Sequence, residues 1–155
     1  MRVLLLGILC ATAGLGFAAS PSWQGFGFDG SGFTKGGASG VIQVRDGYLP
    51  VPGKSVVRED QLPEATGAMA VFCFQQRSGG KLRPQGGASP MAGMLVTITG
   101  DSMTVAGRTD ASGYLVLALP PGSYDVRLAG VTKKWVVDKQ KTALVALRGG
   151  KRMGD

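Results

Sequence analysis

Histidine and asparagine are both missing from this chain of 155 residues. Histidine is the side chain that titrates near neutrality. Its absence removes Ser-His-Asp and Cys-His nucleophile systems and every imidazole-ligated zinc or iron site. Without asparagine there is no acceptor for N-glycosylation. Cysteine is scarce as well, with Cys10 and Cys73 the two in the sequence. Sustained helical periodicity is missing, and so is any tight group of carboxylates that could run acid–base chemistry in place of histidine. The sequence therefore predicts a protein that is not an enzyme and needs no cofactor or metal.

The one long apolar run lies at the start. Arg2 supplies a positive charge, residues 3–17 are apolar over a length too short for a stable membrane anchor, and the small residues Ala18, Ala19 and Ser20 follow. This is the pattern of an export signal. Cys10 is preceded by the bulky Leu9, where a lipid-attachment signal places a small residue. Residues 1–19 are accordingly read as a signal peptide, the product as periplasmic or secreted to the cell surface, and no transmembrane anchor is expected after processing. Cys73 is then the one cysteine left, which excludes an internal disulfide and leaves stability to the core. The formal net charge is +7, of which Arg2 contributes one unit in the segment to be removed.

Residues 20–40 hold seven glycines interspersed with Trp23, Phe26, Phe28 and Phe33. Ordering so many glycines is entropically costly, so a flexible Gly/Phe-rich arm is expected, serving as a spacer or as a segment that pairs with a partner or another copy. Residues 41–65 read as a linker with one possible short strand at 41–44, broken afterwards by Pro50, Pro52, Gly53 and Pro63. From residue 66 the pattern changes to short alternating apolar runs separated by turn residues. Residues 68–75 are apolar on both faces, which predicts a central or doubly covered strand. A long, basic, Gly-rich loop spans 77–90. Residues 94–99 and 103–109, the alternating Leu115, Leu117 and Leu119, then Tyr124, Val126 and Leu128 after the Pro120-Pro121-Gly122 corner, and residues 131–137 and 142–148 complete a set of seven strands. The expectation is an all-β fold, a seven-stranded antiparallel Greek-key β-sandwich over residues 66–149, followed by a basic tail at 150–155.

The run Thr109-Asp110-x-x-Gly113-x-Leu115-x-Leu117-x-Leu119-Pro120-Pro121-Gly122-x-Tyr124-x-Val126 resembles the carboxypeptidase regulatory-like, or prealbumin-like, β-sandwich superfamily. That superfamily includes the Cna B-type repeats of bacterial surface proteins. Residues 89–98 look like the family's strand after a Pro-Gly entry, and the resemblance spans 67–149. It implies a non-catalytic accessory or surface domain, a rigid spacer, stabiliser or binder. The enzymatic relatives do not carry over. The hydroxyisourate hydrolases need histidines and a C-terminal Tyr-Arg-Gly-Ser, and the intradiol dioxygenases need Tyr and His iron ligands. The metallocarboxypeptidases keep zinc in a separate domain for which this chain has no room. The Lys–Asn isopeptide staple of some surface sandwiches is excluded by the missing asparagine.

Two features are candidate sites. Arg77, Lys81 and Arg83 in the long loop, with Lys133, Lys134, Lys139, Lys141, Arg148, Lys151 and Arg152 toward the C-terminus, could give one end of the sandwich a positive surface. The plainer reading is solvated charge that maintains solubility. For an exported protein the anionic partners are envelope polymers or lipid headgroups, and nucleic acid is not expected. Cys73 lies among Val71, Phe72 and Phe74 and reads as a buried inert thiol or as the source of an intermolecular disulfide. Residues 110–113 and 29–32 read as turns, because the run of oxygen donors in a calcium loop is missing. Tyr124 and Trp135 are assigned to the core, with Trp23 and Tyr48 outside the strands.

The function expected is that of an exported structural or binding module of the bacterial cell envelope, whose partner is an envelope or extracellular protein or an anionic polymer. One alternative is a subunit that self-associates by strand addition, donated by the Gly/Phe arm or residues 41–44. Another is carbohydrate binding through exposed aromatics. Intact-mass measurement of the exported protein should show a chain that begins at Ala19 or Ser20.

Overall fold

A strand that is apolar at every position is stable where both of its faces are covered. Residues Ala68 to Phe74 meet that condition, since all are buried. The computed structural model describes residues 22–77 and 87–150. In chain order its strands are β1 (Gln24–Phe28), β2 (Phe33–Thr34), β3 (Ser39–Val44), β4 (Val51–Pro52), β5 (Gly67–Arg77) and β6 (Gly87–Pro90). They continue with β7 (Leu95–Thr99), β8 (Thr104–Arg108), β9 (Tyr114–Leu119), β10 (Gly122–Leu128), β11 (Val131–Val137) and β12 (Thr142–Arg148). The described residues are all-β.

Three sheets form. The first has the order β2-β1-β3-β4, and the third has the order β11-β10-β7-β8. Between them lies a sheet built on β5, which pairs with β12 along one side. On its other side β5 pairs with β9 over Gly67 to Phe72 and then with β6 over Phe74 to Arg77. The side-chain period of two divides this middle sheet cleanly. Met69, Val71 and Cys73 of β5, with Ala143, Val145 and Leu147 of β12, pack on Val96, Ile98, Val126 and Leu128 of the third sheet. Ala70, Phe72 and Phe74 of β5, with Tyr114 of β9 and Ala146 of β12, pack on Phe28 and Ile42 of the first.

This departs from the expected seven-stranded sandwich in four ways. Among the described residues twelve strands lie in three sheets, β6 extends the pairing of β5, and β12 runs parallel to β5 where an antiparallel set was expected. The fourth difference lies in residues 24–44, expected as an arm and a linker. They form β1, β2 and β3 and cover the second face of the middle sheet. Phe28 is the centre of that cover, with ring centroids 4.5 Å from Phe74, 5.7 Å from Phe72 and 5.4 Å from Phe33.

The glycines of this stretch serve close approach. Gly27 and Gly37 lie backbone against backbone, where a Cβ on either would collide with the other. Gly40 has φ 55°, and a Cβ there would stand 2.6 Å from the Phe72 ring. Its carbonyl accepts the hydroxyl proton of Tyr114. These contacts offset part of the entropy lost in ordering the glycines. Phe28→Ala should lower the free energy of unfolding by about 3–5 kcal/mol in a urea titration, within a single transition. A change under about 1 kcal/mol would show that residues 24–44 are not part of the core.

Candidate binding surface

Of the lysines expected to form a positive surface, Lys133 and Lys134 lie on β11 and Lys139 and Lys141 in the turn that leads to β12. β11 pairs with β10, and its other side has no partner among the described residues. Its register sets Trp135 opposite Tyr124, Lys133 opposite Val126 and Val131 opposite Leu128. Cross-strand partners share a face, so Val131, Lys133 and Trp135 point inward like their buried partners. β11 lies at the border of its sheet, however, and these side chains overhang β12 in the facing sheet. Lys133 Nζ donates a hydrogen bond of 2.7 Å to the Ala146 carbonyl. Val131 and Trp135 each remain 38% exposed. Trp135 was expected in the core with Tyr124. Alternation assigned its face correctly, but position within a sheet decides depth.

The turn between β11 and β12 is held firmly. Gln140 adopts φ 61° and ties the turn to residues 47–66. Its carbonyl accepts from the Gly47 amide at 2.8 Å, and its own amide donates to Thr66 O at 2.7 Å. The side-chain amide donates to Pro63 O and Thr66 O at 3.2 and 3.3 Å. Lys139 and Lys141 flank this anchored residue, and both are exposed, as are Lys134 and Arg148. Among the described residues the ion pairs are Arg45–Glu59 at 3.9 Å and Arg58–Asp60 at 2.7 Å, neither of which involves a cation of β11, β12 or their turn. The exposed cations of β11, β12 and their turn thus form no ion pair among the described residues, although Asp125 stands opposite Lys134 and Asp138 adjoins Lys139. Arg77 ends β5, three residues past the Phe74 position paired with Arg148. Lys81, Arg83, Lys151 and Arg152 lie outside the described residues, as do residues 1–19.

Cys73 is fully buried in the cluster between the middle and third sheets. Burial pushes its thiol up to about 11. A second chain cannot reach the sulfur without opening the sandwich, which removes it as a source of an intermolecular disulfide. The two aspartate turns are structural. Asp110 Oδ1 accepts from the amides of Ser112 and Tyr114 at 2.9 and 3.1 Å and from the Ser112 hydroxyl. Asp29 Oδ1 accepts from Ser31 and Gly32 amides at 2.8 Å, and these bonds hold its carboxyl below the ordinary range.

Sequence reasoning missed two surface features. Trp23 and Tyr48, left outside the strands, meet each other at 5.7 Å between ring centroids. The indole donates to Glu59 at 2.9 Å, and the Arg45 guanidinium sits 4.4 Å from the Tyr48 ring centre. No single segment carries a signal for this network. A shallow groove of about 510 Å³ lies between β4 and the Asp110 turn, lined by Pro50, Pro52, Val57, Val116 and the paired Arg58 and Asp60 among others. Its lining comes from four separate stretches of chain.

Comparison with protein-family models, with curated proteins and with solved structures finds no match to this chain.

The buried thiol has a measurable consequence. A thiol free in the unfolded chain titrates near 9.0, so between pH 9.0 and about 11 the unfolded chain loses a proton that the folded chain keeps. The stabilisation from this group is full below that window and lost as pH rises through it. Aromatic disulfide reagents at pH 8 should label Cys73 only after denaturant is added. Cys73→Ala should lessen the fall in Tm across the window. Rapid labelling of the native protein would contradict this placement.

Proposed function

We propose that this protein is an exported, non-catalytic β-sandwich module of the bacterial cell envelope that binds an anionic partner through its basic β11–β12 edge. One observation carries the reading. Lys134, Lys139, Lys141 and Arg148 are exposed along β11, β12 and their turn, beside the half-exposed Trp135, and none joins an ion pair among the described residues, although Asp125 stands opposite Lys134 in the register. Like charges gathered at a rigid edge oppose folding slightly and attract an opposite surface. The leader-like residues 1–19 support export, and the resemblance of the Thr109–Val126 run to prealbumin-like accessory domains supports a role without catalysis.

The other readings find less support. Residues 41–44 belong to β3, which pairs with β1 on one side and β4 on the other, so they are not free to be donated to a neighbour. Trp23 and Tyr48 are engaged with each other, with Glu59 and with Arg45, which leaves little open ring face for a sugar.

The test is retention of the mature protein on its own envelope fraction and on purified envelope polyanions, at about 50 mM and about 300 mM salt. Binding should fall with salt. The triple variant Lys134→Glu, Lys139→Glu, Lys141→Glu should lose at least about tenfold in affinity. The double variant Lys35→Glu, Lys54→Glu, at exposed positions on the first-sheet side, should bind like the parent. Equal loss in both variants, or no binding at low salt, would overturn the proposal.

A further inference from the structure

β12 has the composition of an interior strand and the position of an edge strand. Ala143, Val145 and Leu147 enter one cluster, and Leu144 and Ala146 face the other. One side of β12 pairs with β5 from Thr142 to Arg148. Just outside its two ends, the Lys141 carbonyl and the Gly149 amide also bond into β5. Backbone groups alternate in direction along a strand, so Ala143, Val145 and Leu147 turn theirs to β5. Those of Thr142, Leu144, Ala146 and Arg148 turn outward. No described strand meets them. The bond that reaches this side is the one from the Lys133 ammonium to the Ala146 carbonyl.

An unpaired strand edge is a template for another strand, and an inward-pointing charge such as Lys133 is a known way of discouraging random pairing. Here the charge is set between two apolar side chains that remain partly exposed, Val131 and Trp135. An incoming strand that takes the Ala146 carbonyl with its own amide releases the Lys133 ammonium, which then needs a counter-ion. On that face the strand must therefore read apolar, acidic, apolar at alternate positions. A second copy of this chain is a poor occupant, because it would set Lys133, Lys134, Lys139, Lys141 and Arg148 against their own counterparts. A polysaccharide or lipid headgroup can meet the charges but cannot supply amides and carbonyls at strand spacing.

We propose that the outward edge of β12 accepts an extended acidic segment of a partner polypeptide as an added strand, with a carboxylate on Lys133 and apolar side chains on Val131 and Trp135. This rests on the reading of the β11–β12 edge as the binding surface and names the partner's chemistry and its mode of attachment.

The experiment uses the mature protein and the capped peptide Glu-Val-Thr-Glu-Thr-Val-Glu, whose order is the same in either chain direction. Hydrogen exchange is followed residue by residue by NMR. Binding should slow exchange at the Leu144 and Ala146 amides by at least about tenfold, while Val145, already paired with β5, stays unchanged. The same peptide N-methylated at its three central residues keeps the charge and should bind at least about tenfold more weakly. Equal binding by the methylated peptide, or binding without slowed exchange at these two amides, would overturn strand addition while leaving anion binding at this edge intact. Failure of the peptide to bind while envelope polyanions do would have the same meaning. Slowed exchange at these amides on raising protein concentration alone would replace the peptide by a second copy. Failure of peptide and polyanions together would remove both readings.

Discussion

Covering both faces of β5 is the constraint from which the rest of this structure follows. Every residue from Ala68 to Phe74 is apolar and buried, so a single facing sheet would leave Ala70, Phe72 and Phe74 in water. Burying a large side chain stabilises by roughly 1.5–3 kcal/mol, and exposing two phenylalanines with the adjoining Tyr114 would forfeit several such contributions. A two-layer sandwich is therefore unfinished for this sequence. The first sheet, formed by residues that precede the sandwich, completes it. Its order depends on tight backbone contacts, because Phe28 and Ile42 reach the middle sheet only if Gly27, Gly37 and Gly40 let the chain lie close.

The parts of this fold that could be read from sequence are those where one residue type has one meaning. Alternating Leu115, Leu117 and Leu119, or Tyr124, Val126 and Leu128, mark strands with one face toward a shared core, and both sets join the same cluster. The Pro120-Pro121-Gly122 corner was equally plain, and the Tyr124 hydroxyl closes it by donating to the Pro120 carbonyl. Residues 68–75 announced a strand covered on both sides. What stayed hidden is carried by residues with two meanings. Glycine signals freedom or close approach, and only the distant partners, Gly37 for Gly27 and Phe72 for Gly40, decide between them.

The candidate surface was legible in its charge and not in its position. Lys133, Lys134, Lys139 and Lys141 are close in sequence, so their place on one strand and its following turn could be anticipated. Alternation says which face a side chain takes but not how near the margin its strand lies, so Trp135 was assigned to the interior. The same ambiguity hides β12, whose side chains are covered from two sides as those of an inner strand are. Only its pairing, on one side alone, reveals the edge.

These features are connected. Stacking three sheets hides every residue of β5 from Ala68 to Phe74 and most apolar side chains of β12, but stacking does nothing for backbone groups at the ends of that layer. The main chain of β12 is left with outward amides and carbonyls that only another strand, a side chain or water can satisfy. Lys133 satisfies one carbonyl from the overhanging β11. On the proposed reading, the positive charge of the neighbouring exposed lysines discourages pairing with a like edge. The same charge would make the edge selective, because what repels a copy of itself attracts the acidic chain proposed as its partner. On that reading, one arrangement of lysines around one unpaired strand both discourages self-pairing and attracts an acidic chain.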